Sequence, residues 1–313
     1  MIVTTKKLFQ QCYSKYGIAA VNVEFMEQIL GLFKAAEHAN APFIVQTTPM
    51  ARDYATPEML MAMIKAAHRL HPNTVFAIHL DHGNESHIKD ALRGNDYTSV
   101  MIDASHDNFA KNVLRTKEVV KSAHKKGVSV EAELGVLSGV EDGLSVDEEN
   151  AFYTDPKEVK SFVEATNCDS LAIAVGTSHG AYKFSGGQGI QFKILEKIQE
   201  QLPEFPLVLH GGSAVNHQEI DRIRRAGGTV EASAKGVIPE EVQKAIGLGI
   251  CKVNLATDFR LLWTRINREF FRDQPDQFHP LIPGQKYIQA FEELALEKFE
   301  YLYATGKGAT FKY

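Results

Sequence analysis

The stretch Phe76-Ala-Ile-His-Leu-Asp-His-Gly83 shows the pattern that decides the fold, an extended apolar run that ends in histidine and glycine. Two other stretches repeat this pattern, Ala172-Ile-Ala-Val-Gly-Thr-Ser-His-Gly180 and Leu207-Val-Leu-His-Gly-Gly-Ser213. A histidine at a strand end can point its ring into a cleft while the following glycine lets the backbone turn away. Three such histidines, His82, His179 and His210, are the minimum for a catalytic zinc site, with a fourth coordination position left for substrate or water.

Short apolar runs alternate with amphipathic stretches along most of the chain. The apolar runs predict strands at residues 18–22, 43–46, 75–80, 100–103, 129–133, 171–174, 207–210 and 252–255. The amphipathic stretches predict helices at residues 24–39, 57–70, 108–126, 156–165, 192–201 and 218–226. Continuously apolar runs are typical of strands buried on both faces of a parallel sheet. Eight such strands separated by helices predict the α/β class and a (β/α)8 TIM barrel.

A doubly wound sheet is the alternative architecture. No Gly-x-Gly-x-x-Gly motif follows the first predicted strand to support it. Beyond Asn254, residues 261–271 and 287–304 predict long helices, joined by a turn that contains Pro275, Pro280 and Pro283. We therefore expect one domain over residues 1–313, in which residues from about 261 to 313 form a C-terminal helical extension that covers the barrel. Such helices also suit a subunit interface, and we expect a homodimer or a homotetramer.

Composition excludes several functional classes. The formal charge of -5 gives no electrostatic reason to expect binding to nucleic acid or to an acidic membrane. The N-terminus has no long apolar segment, and no apolar run approaches the length of a membrane span. Three cysteines without paired spacing, Cys12, Cys168 and Cys251, argue against a disulfide framework and fit a reducing cytoplasm.

Polar residues fall at the C-terminal ends of the predicted strands. They are Asn22, Gln46, Asp81, His82, Asp103, Glu133, His210 and Asn254. Barrel enzymes build their active sites on this face, with residues from many strands converging on one centre. Glu131 and Glu133 lie two residues apart and so share one side of their strand. Two carboxylates on a buried strand are costly unless they meet a cation or hydrogen-bond donors, and a metal at the barrel mouth would supply the cation.

Glycines cluster beside the same histidines and predict a phosphate site. Gly176 and Gly180 flank His179, while Gly211 and Gly212 follow His210. Such turns can present successive backbone N–H groups to an anion, and Lys183 and Ser213 could add a charge and a hydroxyl. The acidic segment 138–150 follows the Glu133 strand directly, where a mobile loop could bring a carboxylate over bound substrate and exclude water.

At these residues the sequence resembles the class II, zinc-dependent ketose-bisphosphate aldolases, which cleave fructose or tagatose 1,6-bisphosphate. The matching segments run in family order from near Asn22 to about Arg260. They are His79-Leu-Asp-His-Gly83, Val100-Met-Ile-Asp-Ala-Ser105, Val130-Glu-Ala-Glu-Leu-Gly135, Glu141-Asp-Gly143, Gly176-Thr-Ser-His-Gly-Ala-Tyr-Lys183, His210-Gly-Gly-Ser213 and Lys252-Val-Asn-Leu-Ala-Thr-Asp258.

The resemblance implies a role for individual residues. His82, His179 and His210 match the zinc ligands, and Glu133 matches a carboxylate that ligates the metal in a more buried position, with Asp103 nearby. Asp81 matches the acid/base at the C4 hydroxyl, and Glu141 matches the residue for proton transfer at C3. The positions implied to contact the C1 phosphate, the dihydroxyacetone phosphate moiety or the rest of the substrate are Asn22, Thr48, Gly180, Lys183, Gly211, Gly212, Ser213, Asn254, Ala256, Thr257 and Arg260.

The resemblance also implies a carbohydrate-metabolic lyase of glycolysis whose partner is a sugar bisphosphate, and it leaves open whether a monovalent cation assists the zinc. Some positions depart from the family pattern. Ala256 stands where the fructose branch carries Asp and is more like the tagatose branch, whereas the segment through Arg260 is more like the fructose branch. Thr48 stands where Ser is frequent, and Ser138 replaces a glycine. Contacts to the distal phosphate are expected from Arg52, Arg260 or a neighbouring subunit. A barrel zinc hydrolase and a sugar-phosphate binder without activity remain as alternatives.

Overall fold

Eight parallel strands close into a barrel in the computed structural model, which describes residues 1–137, 139–141, 144–146, 152–177, 189–230 and 236–311, with 139–141 and 144–146 as backbone. The barrel strands are β1 (Ile18–Asn22), β2 (Phe43–Thr47), β3 (Phe76–Gly83), β4 (Ser99–Ile102), β5 (Ser129–Leu134), β8 (Ser170–Ile173), β9 (Leu207–Leu209) and β10 (Ile250–Leu255). Between β5 and β8, β6 (Gly139–Glu141) pairs antiparallel with β7 (Leu144–Val146). The predicted TIM barrel of the α/β class is confirmed.

Strand burial explains why the apolar runs form this barrel. Every residue of β1, β2, β4 and β5 is buried, as expected for strands covered by helices outside and by side chains inside. The strands neighbour one another in chain order, and β10 closes the barrel by pairing parallel with β1. All eight C-terminal strand ends therefore meet at one mouth.

Helices surround the barrel in the described part of the chain. They are α1 (Thr5–Cys12), α2 (Met26–Ala39), α3 (Pro49–Ala55), α4 (Pro57–Leu70), α5 (Glu85–Arg93), α6 (Phe109–His124), α7 (Val159–Thr166), α8 (Phe192–Gln201), α9 (His217–Arg225), α10 (Pro239–Gly247), α11 (Thr257–Asp273) and α12 (Leu281–Tyr301), followed by a short 3₁₀ helix (Lys307–Thr310). The predicted helices correspond to α2, α4, α6, α7, α8, α9, α11 and α12. Helices α1, α3, α5 and α10 are short and were not predicted.

The C-terminal helices pack against the helical layer of the barrel. The rings of Phe259 in α11 and Phe291 in α12 stack with centroids 4.2 Å apart. A side chain at Gly31 of α2 would approach Phe291 Cβ to 2.9 Å, so the glycine permits close contact between α2 and α12. One expectation is corrected, because Pro283 lies in the first turn of α12 and outside the connecting turn. A proline is tolerated there because a first-turn N–H has no intrahelical acceptor.

Candidate active site

Asp81 and His82 lie next to each other at the end of β3. A local change in the backbone allows both side chains to lie at the barrel mouth. In a regular strand, consecutive side chains point to opposite faces. His82 departs from this alternation because its φ is +46°, and the pairing of β3 with β4 shifts register between Leu80 and Gly83. Left-handed backbone at a non-glycine residue is uncommon and is concentrated at functional sites.

His82, Asp103 and Glu133 form a compact group at the mouth. One ligand-type atom from each lies within 4.8 Å of the others. His82 Nδ1 is 3.3 Å from Asp103 Oδ2, and Asp103 Oδ1 accepts hydrogen bonds from the backbone N–H and hydroxyl of Ser105 at 3.1 and 2.7 Å. Burial acts to lower the pKa of His82, but the carboxylates of Asp81, Asp103 and Glu133 raise it well above its ordinary value. Negative charge therefore dominates this group.

The pKa of Glu133 reflects that negative charge. Burial and then the Asp103 carboxylate raise the pKa of Glu133 well above its ordinary value. Its Oε2 atom has no hydrogen-bond partner within the described residues. A buried carboxylate is stable as an anion only beside a cation or several donors. The imidazole and two carboxylates therefore fit a divalent cation such as zinc, which takes N and O ligands.

His210 follows β9 and faces His82 across the mouth. Their rings make an edge-to-face contact with centroids 4.9 Å apart, and Asp81, His82 and His210 form a second group with ligand-type atoms within 4.8 Å. His210 Nε2 is 3.0 Å from Glu131 Oε1, and Nδ1 is 3.8 Å from Glu133 Oε2. The bond to Glu131 fixes the ring, an arrangement that metal-ligating histidines commonly use.

Lys252 supplies the cation for Glu131, which corrects the expectation that a metal would serve both strand carboxylates. Its ammonium donates to Glu131 Oε1 and Oε2 at 3.0 and 2.8 Å and lies 3.3 Å from His79 Nε2. All three side chains are almost completely buried. Burial and the Lys252 charge lower the pKa of His79 to about 3, so its imidazole is neutral. The sequence signal was available, because a lysine in the apolar strand Ile250–Leu255 needs a buried partner.

Asp81 is held by side-chain amides. Gln46 Nε2 donates to Asp81 Oδ2 at 3.2 Å, and Asn254 Nδ2 lies 3.3 Å from both carboxylate oxygens. Gln46 also donates to Asn22 Oδ1 at 2.5 Å. Burial by itself would raise the pKa of Asp81, but the charges of His82 and Lys252, with smaller contributions from other histidines, hold it below its ordinary value. Asp81 is thus an oriented carboxylate that is ionised at neutral pH.

The glycine turn after His210 lies against β10. Gly211 has φ +64°, and the Gly212 N–H donates to the carbonyl of Asn254 at 3.2 Å. A Cβ at Gly212 would lie 2.4 Å from Val253 Cγ1, so a larger residue does not fit. The hydroxyl of Ser213 accepts from the Ala256 N–H at 3.4 Å. The structure thus brings the predicted residues 211–213 beside Asn254 and Ala256.

Two other predicted contact residues, Thr48 and Arg260, already have protein partners. The Thr48 hydroxyl accepts from the Ala51 N–H at 3.3 Å and caps α3. Arg260 donates to Glu24 Oε1 through Nε at 3.1 Å and Nη2 at 2.8 Å. Thr257 is the first residue of α11 and is buried.

Arg52, the second arginine expected at the distal phosphate, is buried in α3, in the helical layer outside the barrel. Arg52 donates to Tyr97 Oη at 2.9 Å and pairs with Asp90. These bonds already occupy much of its guanidinium group.

Part of the predicted site lies outside the described residues, namely His179, Gly180 and Lys183. Ser138 lies outside them as well. Glu141 is described as backbone in β6, opposite Leu144 of β7. The acidic segment expected to be a loop therefore contains a pair of short strands. Asp142 and Gly143, which stand between those strands in the sequence, are residue types that favour hairpin turns.

The fold and this site together define a barrel enzyme with a metal-type ligand cluster at the C-terminal ends of its strands. A sequence profile described as fructose-bisphosphate aldolase class-II matches residues 3–307. The fructose-bisphosphate aldolase of Thermus caldophilus is 40% identical, over 98% of this chain and 100% of the relative. That of Giardia intestinalis is 40% identical, over 95% and 91%. The solved YdjI aldolase from Escherichia coli K12 is 28% identical with a TM-score of 0.77, over 98% and 100%.

The chain therefore belongs to the class II fructose-bisphosphate aldolase family, a family of lyases. Membership in a lyase family argues against the zinc-hydrolase alternative. Within the part of the chain that the structure describes, no helix has the length and apolar character needed for a membrane span.

Proposed function

We propose that this aldolase reversibly cleaves fructose 1,6-bisphosphate to dihydroxyacetone phosphate and glyceraldehyde 3-phosphate, with Zn²⁺ held by His82, His179 and His210. The observation that carries the proposal is the group of His82, Asp103 and Glu133 at the mouth of a barrel of this family. Relatives that carry the name fructose-bisphosphate aldolase, at 40% identity over nearly the whole chain, support the choice of substrate.

Glu133 and Asp103 complete the proposed metal site. Burial and the Asp103 carboxylate raise the pKa of Glu133, and a bound cation would favour the ionised form of this carboxylate. Glu133 is proposed to ligate the metal in a more buried position than the three histidines, with Asp103 beside it. When bound, zinc supplies Lewis-acid polarisation of the substrate carbonyl.

Asp81 and Glu141 are the proposed acid–base residues. In the cleavage direction, Asp81 takes the proton of the C4 hydroxyl, the C3–C4 bond breaks, and the C4 carbon leaves as the aldehyde carbonyl. The bonding electron pair stays with C3, where Glu141 delivers a proton. The hydrogen bonds from Gln46 and Asn254 hold the Asp81 carboxylate in one orientation, which general acid–base catalysis requires.

Backbone amides of the glycine turns are proposed to bind the C1 phosphate. Residues 211–213 supply one turn, and Gly180 with Lys183 supplies the other. Asn22 Nδ2 and Asn254 Oδ1 are buried without hydrogen-bond partners among the described residues, which suits them to substrate hydroxyls. The remaining residues proposed to line the substrate are Thr48, Ala256, Thr257 and Arg260.

The test is to measure initial cleavage rates of the zinc-loaded protein on fructose and tagatose 1,6-bisphosphates, with and without a chelator. We expect chelator-sensitive release of dihydroxyacetone phosphate, faster from the fructose substrate. Faster cleavage of the tagatose substrate would assign Ala256 as the determinant of preference, and Ala256→Asp should then shift the kcat/KM ratio toward fructose. Cleavage of neither substrate by the zinc-bound protein would refute the proposal.

We also propose a cytoplasmic homodimer or homotetramer in which residues 1–313 form one domain, with residues from about 261 onward as its helical extension. The packing of α11 and α12 on the helical layer supports the single domain. Light scattering during size-exclusion chromatography measures the assembly, and a monomeric mass would refute it. Activity titrations with Na⁺ and K⁺ test whether a monovalent cation assists.

A further inference from the structure

A buried ion pair joins the C-terminal helix α12 to residues 211–215, which we name the glycine-turn loop. Asp258, in the first turn of α11, accepts hydrogen bonds from the Ala214 N–H at 3.1 Å and the Val215 N–H at 2.9 Å. Lys298 of α12 places its ammonium 2.9 Å from Asp258 Oδ2. Both side chains are close to fully buried, at 6% and 5% exposure. The loop is therefore fastened through a carboxylate that is itself paired with a lysine.

Val215 shows why the loop needs this attachment. Its φ of +49° lies in the left-handed region, which is strained for a β-branched residue. Its side chain is buried in a small cluster with Ile220, Ile223 and Leu261. A residue in such a conformation persists when the surrounding structure over-determines it. The Asp258 carboxylate and the apolar cluster together provide that constraint.

The same ion pair sets the charge beside the proposed phosphate position. A phosphate bound at residues 211–213 would be an anion close to the carboxylate that binds the next two amides. An unpaired carboxylate there would repel the phosphate strongly, because the low effective dielectric of a buried site screens charges weakly. Lys298 cancels this charge while leaving the two hydrogen bonds to the loop intact.

We propose that Lys298 is a positioning residue for phosphate binding. Through Asp258, it holds the glycine-turn loop in the shape that receives the C1 phosphate and neutralises the carboxylate that would otherwise repel it. The inference rests on the proposed function, since that function assigns the phosphate to this loop. It also gives the C-terminal extension a part in substrate binding, although α12 itself lies in the outer layer.

The test compares Lys298→Met, Lys298→Gln and the double variant Lys298→Met with Asp258→Asn. Lys34→Met is the matched control, because Lys34 also pairs with a carboxylate of α12, Glu292 at 2.7 Å, on the side of α12 that faces α2. Calorimetric titration of each zinc-loaded protein with dihydroxyacetone phosphate and with inorganic phosphate gives the dissociation constants, and metal analysis gives the zinc content.

We expect Lys298→Met to weaken binding of both ligands roughly tenfold or more while zinc content is unchanged. Lys298→Gln keeps a donor for Asp258 but not the charge, so it should weaken binding in the same direction and serves if the methionine variant does not fold. The double variant should recover part of the affinity, because the repelling charge is gone and the asparagine oxygen still accepts from one of the two loop N–H groups. Lys34→Met should bind like the wild type.

Wild-type affinity in both Lys298 variants would overturn the inference while leaving the proposed function intact. A double variant as weak as Lys298→Met would also overturn it, because loss of affinity would then come from disordered packing and not from charge. A wild-type protein that binds zinc but neither dihydroxyacetone phosphate nor inorganic phosphate would instead overturn the proposed function.

Discussion

Replacing Lys252 by methionine should destabilise the barrel by leaving Glu131 without its cation. Lys252 is fully buried, and its ammonium lies 2.8 and 3.0 Å from the two oxygens of Glu131. Methionine has nearly the same length, so apolar packing is largely kept. Removing one partner of a buried ion pair costs about 3–5 kcal/mol, because the remaining charge is uncompensated. We expect the free energy of unfolding to fall by about that amount.

The same substitution should weaken metal binding. Glu131 Oε1 is also 3.0 Å from His210 Nε2. If Glu131 is displaced, His210, a proposed metal ligand, loses the hydrogen bond that orients its ring. Loss of such outer interactions typically lowers metal affinity about 10–100-fold. Zinc affinity is measured by competition with a chelator.

Urea unfolding of the metal-free proteins measures the stability difference, with the double variant Lys252→Met and Glu131→Gln as the control. The glutamine oxygen can still accept from His210 and carries no charge, so the double variant should regain most of the lost stability. Equal destabilisation in the single and double variants would refute the reasoning, since the cost would then be one of packing.

The pH dependence gives a second check on Glu131. Burial acts to raise the pKa of Glu131, but Lys252 and His210 outweigh it and hold the pKa below its ordinary value. A carboxylate with a depressed pKa contributes stability that is present above its unfolded pKa of about 4.3 and is lost as the pH falls toward the folded pKa. In Lys252→Met, protonation neutralises the stranded carboxylate. The unfolded-state pKa is the same in both proteins and cancels, so the stability difference should be largest near neutral pH and shrink as the pH falls through the pKa of Glu131 in the folded variant.

Three further predictions concern the active site. Asp81→Asn should lower kcat roughly 10²–10⁴-fold with zinc content unchanged, as measured by steady-state kinetics and metal analysis, and unchanged kcat would remove Asp81 from the mechanism. Gly212→Ala places a Cβ 2.4 Å from Val253 Cγ1, so we expect about 1–3 kcal/mol of destabilisation in urea unfolding, and wild-type stability would contradict the close contact. Removing metal with a chelator should lower the melting temperature, because a ligand present at about 100 times its Kd stabilises the folded protein by about 2.7 kcal/mol. An unchanged melting temperature in calorimetry would contradict metal binding by the folded protein.

The barrel was largely predictable because its signals are local. The bounds of β1, α4 and α8 agree with the predicted ranges, since each is a continuous apolar or strongly periodic run with clear ends. Helices α1, α3, α5 and α10 have nine or fewer residues, so each shows only about two turns of periodicity. Tertiary packing stabilises such helices more than their own sequence does.

Strand-end composition predicted that Asp81, His82, Asp103, Glu133 and His210 would converge, and the structure brings these five together. Their convergence follows from parallel strands that all end at one mouth. His179 belongs to the same prediction and lies outside the described residues, so its place at the metal remains a prediction.

Closure of the barrel decided which charges meet. Lys252 and Glu131 are 121 residues apart, and only the closed sheet brings β10 across the interior to β5. The sequence could show that Glu131 and Glu133 need compensation and that Lys252 needs a buried partner, but not that Lys252 pairs with Glu131. The pairing of Lys298 with Asp258 depends instead on the packing of α12 against α11. Local pattern depends on neighbours along the chain, whereas electrostatic pairing depends on distances that exist only after the chain has closed on itself.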